Sequence, residues 1–129
     1  MDKNFIYKNM FRFMAGYDIL ISAICLVASF APEIFFPTFN MPIPSTMVWL
    51  QMTVLLIMCL GIGHLIVSMD IKNNHGVLIV GGIARALTAT VMFIYFALGE
   101  IGLSIALLGI GDYIFIGLYV EFFLYQRKL

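Results

Sequence analysis

The sequence predicts an all-α, polytopic membrane protein that folds as an antiparallel bundle of four transmembrane helices. Hydrophobic residues make up 63% of its 129 residues and charged residues only 11%, whereas soluble domains contain about 45–50% apolar and about 25% charged residues. Four apolar runs, at about 13–31, 46–69, 77–99 and 102–124, each approach the roughly 20 residues that a membrane-spanning helix needs. We therefore expect a single membrane domain over residues 1–129, surrounded by a lipid bilayer.

The first apolar run is expected to stay in the protein as a helix rather than to be removed as a signal peptide. Its basic start and the small residues Ala28 and Ala31 resemble a cleavage region. Asp18, however, interrupts the apolar core that such a peptide requires. This interruption favours a retained spanning helix.

The segment at 32–45 is predicted to be a surface loop. It contains all four prolines of the sequence, which a regular helix cannot accommodate throughout its length. Its phenylalanines, together with Trp49 in the next run, suit the headgroup layer, where an aromatic ring can be partly wet and partly apolar. After this loop, the side-chain oxygen of Ser45 or Thr46 is expected to cap the second spanning helix.

The two remaining connections are short. Residues 70–76 are polar and contain turn-forming side chains, and Gly99-Glu100-Ile101-Gly102 predicts a very tight reversal. Short connections make successive helices antiparallel neighbours. The order of the runs therefore predicts a bundle in which each helix reverses the direction of the one before it.

The distribution of charge predicts the orientation in the membrane. Glu33 and Glu100 fall in connections on one side, whereas the basic residues at the ends of the runs fall on the other side. Cytoplasmic segments are enriched in lysine and arginine, so we expect both termini on the cytoplasmic side of the cell's inner (cytoplasmic) membrane. Seven basic residues balance seven acidic ones, and this balance gives no reason to expect nucleic acid as a partner. The basic residues that set the orientation are Lys3, Lys8, Arg12, Lys72, Arg127 and Lys128.

Each spanning run contains one deep ionisable residue. A charge in hydrocarbon costs at least about 2.5–3.5 kcal/mol on insertion scales, so a tolerated charge usually has a partner or a function. We expect Arg85 to bridge Asp18 and Asp112, because its guanidinium carries five donors on a long side chain. At about 1.5 Å per residue, Asp18, His64 and Arg85 fall at similar depth. The predicted intramembrane polar cluster is Asp18, His64, Arg85 and Asp112.

Helical spacing places this cluster on faces that are rich in small and polar residues. Such faces let helix backbones approach closely in a membrane. Thr88 and Tyr119 fall on two of these faces and are secondary site candidates. Glu121 is a third secondary candidate, which lies about 180° around the helix from Asp112 and is expected at the wet boundary. The four predicted faces are Met14, Asp18, Ser22, Cys25 and Ser29; Thr53, Ile57, Gly61, His64 and Ser68; Gly81, Arg85, Thr88, Ala89 and Met92; and Ile105, Gly109, Asp112 and Tyr119.

The polar cluster has three interpretations from sequence alone. It holds the helices in register, it forms a path for a proton, an ion or a ligand, or its members fall by chance on lipid-facing or oligomeric surfaces. For His64, a structural hydrogen bond is favoured over a metal or haem ligand, because no second ligand lies at similar depth. No metal site and no cofactor are predicted, although haem or quinone binding at His64 stays an alternative. No nucleophile–base pair or phosphate-binding loop can be located, so enzymatic activity has no positive support.

Two stretches resemble the DoxX-like group of small four-helix bacterial membrane proteins. They are Phe11-Arg12-Phe13-Met14-Ala15-Gly16 in the first run and Gly81-Gly82-Ile83-Ala84-Arg85-Ala86-Leu87-Thr88-Ala89 in the third. With the four-run layout, the similarity covers most of the chain, although its motifs are mainly glycine, arginine and apolar residues. The resemblance implies an accessory role, including that of a subunit beside respiratory quinol oxidases, and so a partner protein more than independent catalysis. Arg85 lies well inside its run, whereas the comparable arginine of that family tends to lie nearer a helix end.

These observations lead to three functional hypotheses. The first is a non-catalytic membrane protein that acts as an oligomeric or accessory subunit of a membrane complex. The second is a small transporter or channel for protons, ions or a lipophilic molecule, which uses the Asp/Arg cluster. The third is a redox subunit linked to quinone or haem through His64.

Overall fold

The computed structural model describes residues 3–127, and all regular secondary structure in that range is α-helical, with no β-strand. Four of the five helices are long and apolar enough to cross a membrane. The all-helical class and the four segments of spanning length are therefore confirmed, while Lys128, one of the basic residues that set the orientation, lies outside the described range. The helices are α1 (Lys3–Ala28), α2 (Pro32–Thr38), α3 (Val48–Met69), α4 (His75–Ala97) and α5 (Leu103–Gln126).

Helix α1 begins at Lys3, well before the apolar run that was predicted from residue 13. Its additional turns carry an apolar stripe, because the exposed fractions of Tyr7 and Phe11 are only 4% and 0%. Burial of a phenylalanine side chain contributes about 1.5–3 kcal/mol, and extending an existing helix requires no new nucleus. Hydropathy identified the most apolar part of this helix but not its start.

The predicted loop over 32–45 is corrected in its first half, which forms the short helix α2. Pro32 is its first residue, where the missing N–H has no helical partner to lose. The N–H groups of Ile34 and Phe35 both donate to the Ala31 carbonyl at 3.1 Å. The segment after α2 is irregular as far as α3, and Asn40 in it has φ 53°.

At the start of α3, the predicted hydrogen bond to a hydroxyl side chain is present but long. The N-cap residue is Met47, which makes no side-chain capping bond. The Thr46 hydroxyl instead accepts a hydrogen bond from the Val48 N–H, at 3.4 Å. Thr46 thus provides one oxygen to the first turn, although it is not the N-cap residue itself.

The turn after α3 is organised by the Asp70 carboxylate. One of its oxygens accepts the Asn73 side-chain amide at 2.8 Å, and the other accepts the Lys72 backbone N–H at 3.2 Å. The Asn74 side chain donates to the Asp70 carbonyl at 3.0 Å. The hydrogen bonds from Asn73 and Lys72 hold the pKa of Asp70 below its usual range. The predicted polar turn is therefore built around an ionised carboxylate.

The connection between α4 and α5 is the predicted tight reversal. Gly99 has φ +77°, a conformation that glycine adopts without steric cost. The Gly99 N–H donates to the Phe96 carbonyl and the Glu100 N–H to the Tyr95 carbonyl, both at 3.0 Å. This pair of bonds is a Schellman motif, which satisfies carbonyl groups at the end of α4.

The chain forms two compact units, and the first contains the described residues up to Phe35 together with Ile43–Leu78. In it, α1 packs against α3. The Gln51 side-chain amide, early in α3, donates to the hydroxyl of Ser29, just after α1, at 3.1 Å. Phe11, early in α1, stacks against His64, late in α3. Because later residues along α1 contact earlier residues of α3, these two helices run antiparallel.

The second unit contains Phe36–Pro42 and the described residues from Ile79 onward. In it, α4 packs against α5. The Thr90 and Tyr113 hydroxyls lie 3.1 Å apart, and the Phe93 and Tyr113 rings stack with centroids 5.9 Å apart. Near the other end of the pair, the Arg85 side chain donates to the Tyr119 hydroxyl at 3.2 Å. The contacts again progress in opposite directions along the two helices, which are therefore antiparallel.

Gly61 controls how closely α1 approaches α3, and its replacement by alanine tests this pairing. An added Cβ would lie 2.9 Å from Ile19 Cγ1, 3.0 Å from Asp18 Cβ and 3.1 Å from the Ala15 carbonyl oxygen. Overpacking of this kind costs about 1–3 kcal/mol. We expect Gly61→Ala to lower the free energy of unfolding by about that amount, measured in micelles by circular dichroism during titration with a denaturing detergent.

Gly16→Ala is the matched control, since no heavy atom lies within 4 Å of its added Cβ. We expect it to leave stability unchanged or to raise it by up to about 1 kcal/mol, because alanine favours helix over glycine. Equal effects of the two substitutions would show that α1 and α3 do not pack closely at Gly61.

Candidate functional site

The predicted inward faces of α1 and α3 are largely buried. On α1, Met14, Asp18, Ser22 and Ser29 are buried and Cys25 is partly buried. These faces therefore carry the predicted polar side chains into the interior of the first unit. On α3, Gly61, His64 and Ser68 are buried, whereas Thr53 is exposed.

The predicted face of α4 is corrected at Thr88. Gly81, Arg85 and Ala89 are buried, but Thr88 is exposed, because one residue turns the helix by about 100° away from the ridge that Arg85 and Ala89 form. Thr88 therefore lies on the outer surface of the chain and away from the ridge that carries Arg85. On α5, Gly109 and Tyr119 are buried, Ile105 and Asp112 are partly buried and Glu121 is exposed.

Asp18 and His64 form a buried pair between α1 and α3. The His64 Nδ1 and Asp18 Oδ2 atoms lie 2.9 Å apart, and each residue is only 1% exposed. Phe11 covers the imidazole with a nearly parallel ring, at 4° between planes and 6.5 Å between centroids. The expected hydrogen bond of His64 is therefore present, and its partner is Asp18; the choice between a structural role and a ligand role for His64 stays a prediction.

The second pair joins Arg85 of α4 to Asp112 of α5. The Arg85 Nη1 group donates to Asp112 Oδ1, and the exposed fractions of the two side chains are 5% and 18%. The Arg85 Nε group donates to the Tyr119 hydroxyl at 3.2 Å. The guanidinium carbon also lies 4.7 Å from the centroid of the Phe115 ring, within range of a cation–π interaction.

The structure thus arranges the four predicted ionisable residues as two pairs, one within each unit. The expected contact of Arg85 with Asp112 is confirmed, and Tyr119 joins it as a hydrogen-bond partner. A bridge from Arg85 to Asp18 stays a prediction. Sequence reasoning missed Phe115, although its spacing from Asp112 and Tyr119, three and four residues, places all three on one helix face.

The two pairs differ in what they can do chemically. Arginine stays protonated under all ordinary conditions, so Arg85 and Asp112 can fix helices or bind but cannot exchange a proton through the guanidinium. An imidazole and a carboxylate can each accept and release protons, so Asp18 and His64 form a group that can hold one. One turn beyond Asp18, the Ser22 hydroxyl is buried, and no other group in the part of the chain that the structure describes hydrogen-bonds to it.

Comparisons with protein-family models, curated proteins and solved structures find no match for this chain. The resemblance to DoxX-like proteins therefore stays a prediction that rests on the two quoted stretches.

The Arg85–Asp112 pair is tested by a double-mutant cycle with Arg85→Gln and Asp112→Asn. Removing one partner of a buried ion pair costs about 3–5 kcal/mol, and we expect the lower end because Asp112 is 18% exposed. The double variant is expected to lose less than the sum of the two, with a coupling energy of about 1–3 kcal/mol. The measurement is the free energy of unfolding in micelles.

Arg12→Gln is the control, because Arg12 is exposed and hydrogen-bonds only weakly, at 3.5 Å, with exposed Asn9. Its effect is expected to stay below about 0.5 kcal/mol. Additive losses in the double variant would mean that Arg85 and Asp112 do not stabilise the protein through each other.

Proposed function

We propose that this chain is an integral protein of the cell's inner membrane, in which α1, α3, α4 and α5 cross the bilayer as an antiparallel four-helix bundle. Support comes from large apolar side chains that are exposed on every long helix, such as Leu20, Leu56, Leu87 and Ile114, with exposed fractions of 58–65%. Apolar surface of this extent is unusual on a protein in water. Such apolar surfaces are better solvated by the hydrocarbon of a bilayer than by water.

Charge supports an orientation with both termini in the cytoplasm. Lys3, Lys8 and Arg12 lie on the first turns of α1, Lys72 lies in the turn between α3 and α4, and Arg127 follows α5. The opposite connections carry the carboxylates Glu33 and Glu100. This distribution follows the positive-inside rule.

Within that membrane we propose a non-catalytic role, as an oligomeric or accessory subunit. The observation that carries this proposal is a pair of exposed glycines, Gly16 on α1 and Gly117 on α5, with no heavy atom within 4 Å of an added Cβ at either position. Glycine destabilises a helix interior by about 1 kcal/mol relative to alanine. A glycine that faces only lipid brings no compensating contact, whereas a neighbouring helix can approach the backbone of a glycine closely.

The buried pairs fit the same role. Asp18 faces His64 and Arg85 faces Asp112, so these polar groups serve helix packing inside the chain. The outer faces with Gly16 and Gly117 are then the surfaces available to a second copy or to a larger membrane complex. The resemblance to DoxX-like proteins points toward the same accessory role.

The proposal predicts that the protein purified in mild detergent is larger than one chain. Gly16→Leu and Gly117→Leu each place a bulky side chain on an exposed surface, where no other side chain of the protein lies close. We therefore expect both variants to preserve the fold but to shift the protein toward the monomer. The measurement is the mass of the protein component by size exclusion with light scattering.

Val27→Leu is the control, because Val27 is an exposed apolar residue of α1, with an exposed fraction of 72%. It is expected to leave the mass unchanged. A wild-type protein that is strictly monomeric and carries no partner would remove the basis of the proposed role.

A second candidate function is a carrier of protons, ions or a lipophilic molecule, and the Asp18–His64 pair favours it. The two groups that can exchange a proton lie 2.9 Å apart and are almost wholly buried. Ionisable groups inside a membrane often mark such routes. The neighbouring hydroxyl of Ser22, also buried, offers a further polar contact along α1.

This candidate predicts proton flux into proteoliposomes that depends on Asp18. Asp18→Asn keeps the shape of the side chain but removes its charge and its basicity, so flux is expected to fall at least about tenfold, as for loss of a positioned proton acceptor. Thr53→Val is the control, since Thr53 is exposed and its hydroxyl donates to the Trp49 carbonyl of its own helix. Equal flux in wild type and Asp18→Asn would rule out a proton carrier that uses this pair.

A further inference from the structure

A cavity of about 150 Å³ opens where α1 begins and α3 ends. Residues from the first two turns of α1 form one side, and the end of α3 with its following turn forms the other. This volume suits a small polar group rather than a drug-sized ligand, since pockets for the latter are about 300–1,000 Å³. The lining residues are Asn4, Lys8, Met69, Asp70, Ile71 and Lys72.

The cavity carries net positive charge from Lys8 and Lys72, against one carboxylate from Asp70. Across residues 3–127, neither lysine ammonium group forms a salt bridge. The Asp70 oxygens already accept hydrogen bonds from the Lys72 N–H and the Asn73 amide. The hydrogen bonds of the turn thus occupy the Asp70 carboxylate, which also attracts Lys72 electrostatically, while neither ammonium group is held in a salt bridge.

One wall of the cavity is apolar. Met69 ends α3 with an exposed fraction of 70%, and Ile71 is buried at 3%. Asn4 adds a half-buried side-chain amide. A site with two ammonium groups beside the exposed side chain of Met69 matches a phosphate group that is attached to an apolar body.

We propose that this cavity binds the phosphate group of an anionic phospholipid. It lies at the basic end of α1 and α3, where the proposed orientation places the cytoplasmic headgroup layer. Basic pockets on that side of membrane proteins suit lipid headgroups. The apolar wall at Met69 favours a lipid over a free phosphate ester, because it continues from the cavity onto the spanning helix. This inference depends on the membrane orientation of the proposed function but not on its oligomeric role.

The test measures lipid binding to the full chain in a neutral detergent by native mass spectrometry. Phosphatidylglycerol is titrated, with phosphatidylcholine as the lipid without net charge. We expect phosphatidylglycerol to bind more tightly, and Lys8→Gln and Lys72→Gln each to weaken its binding about fivefold, since a basic residue near an anionic membrane surface contributes roughly that factor. Arg12→Gln is the control, because Arg12 is an exposed cation one turn beyond Lys8 and does not line the cavity; it should change binding less than about twofold.

Asp70→Asn provides a change in the opposite direction. It removes the one negative charge of the cavity and keeps an oxygen that can accept a hydrogen bond, so binding of phosphatidylglycerol is expected to tighten about twofold or more. A fold defect would weaken binding instead, and this variant therefore separates a charge effect from damage to the turn.

Three results would overturn the proposal. The first is equal binding of phosphatidylglycerol and phosphatidylcholine. The second is an equal loss in the Lys8, Lys72 and Arg12 variants, which would indicate diffuse surface charge. The third is saturable binding of glycerol 3-phosphate that depends on Lys8 and Lys72 without a preference for phosphatidylglycerol, which would assign the cavity to a soluble phosphate ester. None of these results bears on the oligomeric state, so this inference and the proposed subunit role fail separately.

Discussion

The structure depends on the pairing of ionisable side chains that lie buried between apolar helices. An isolated polar or charged group in a medium of low dielectric constant is costly, whereas a hydrogen-bonded partner offsets much of that cost. Asp18 with His64 and Arg85 with Asp112 supply this pairing between α1 and α3 and between α4 and α5. Apolar contacts alone specify the register of two helices weakly, but a hydrogen-bonded polar pair is satisfied at one register only. Polar groups therefore specify the alignment of helices whose remaining contacts are largely apolar.

Close backbone approach makes these pairings possible. Gly61 precedes His64 by three residues on the same face of α3, and its Cα lies where any side chain would meet Ala15, Asp18 and Ile19. The aspartate side chain is short, so its carboxylate reaches the imidazole only if the two helix backbones pack closely. On α5, Gly109 lies in the same way against Ala89 and Phe93, three residues before Asp112. In each unit a glycine allows two helices to approach closely, and an ionisable residue one turn away can then reach its partner on the facing helix.

Hydropathy and spacing predicted the elements of this fold better than their ends and their partners. A window of about 20 residues locates the apolar part of a helix, so it missed the start of α1 at Lys3, where only Tyr7 and Phe11 turn inward. The prolines of this segment led to the prediction of a loop instead of α2. Pro32, however, is the first residue of α2, where a helix accepts proline freely, and Pro37 lies one residue before its end. For the site, spacing identified the face that each ionisable residue occupies. It did not identify every partner, because periodicity within one segment carries no information about the residue that faces it. The contact of Arg85 with Asp112 was expected, whereas the pairing of Asp18 with His64 emerged only in three dimensions.

The position of a charge along a spanning helix decides whether it is available to a ligand. Arg85 is 5% exposed, and its donors are directed to Asp112 and Tyr119, because a spare donor at that depth would stay unsatisfied. Lys8 lies near the start of α1 and Lys72 follows the end of α3, where water can solvate an ammonium group at little cost. The buried charges of this chain thus pair with one another, whereas the charges at the helix ends are the ones proposed to bind a ligand. This difference explains why the basic cavity lies at the start of α1 and the end of α3, beside the turn that Asp70 organises, and not among the buried pairs.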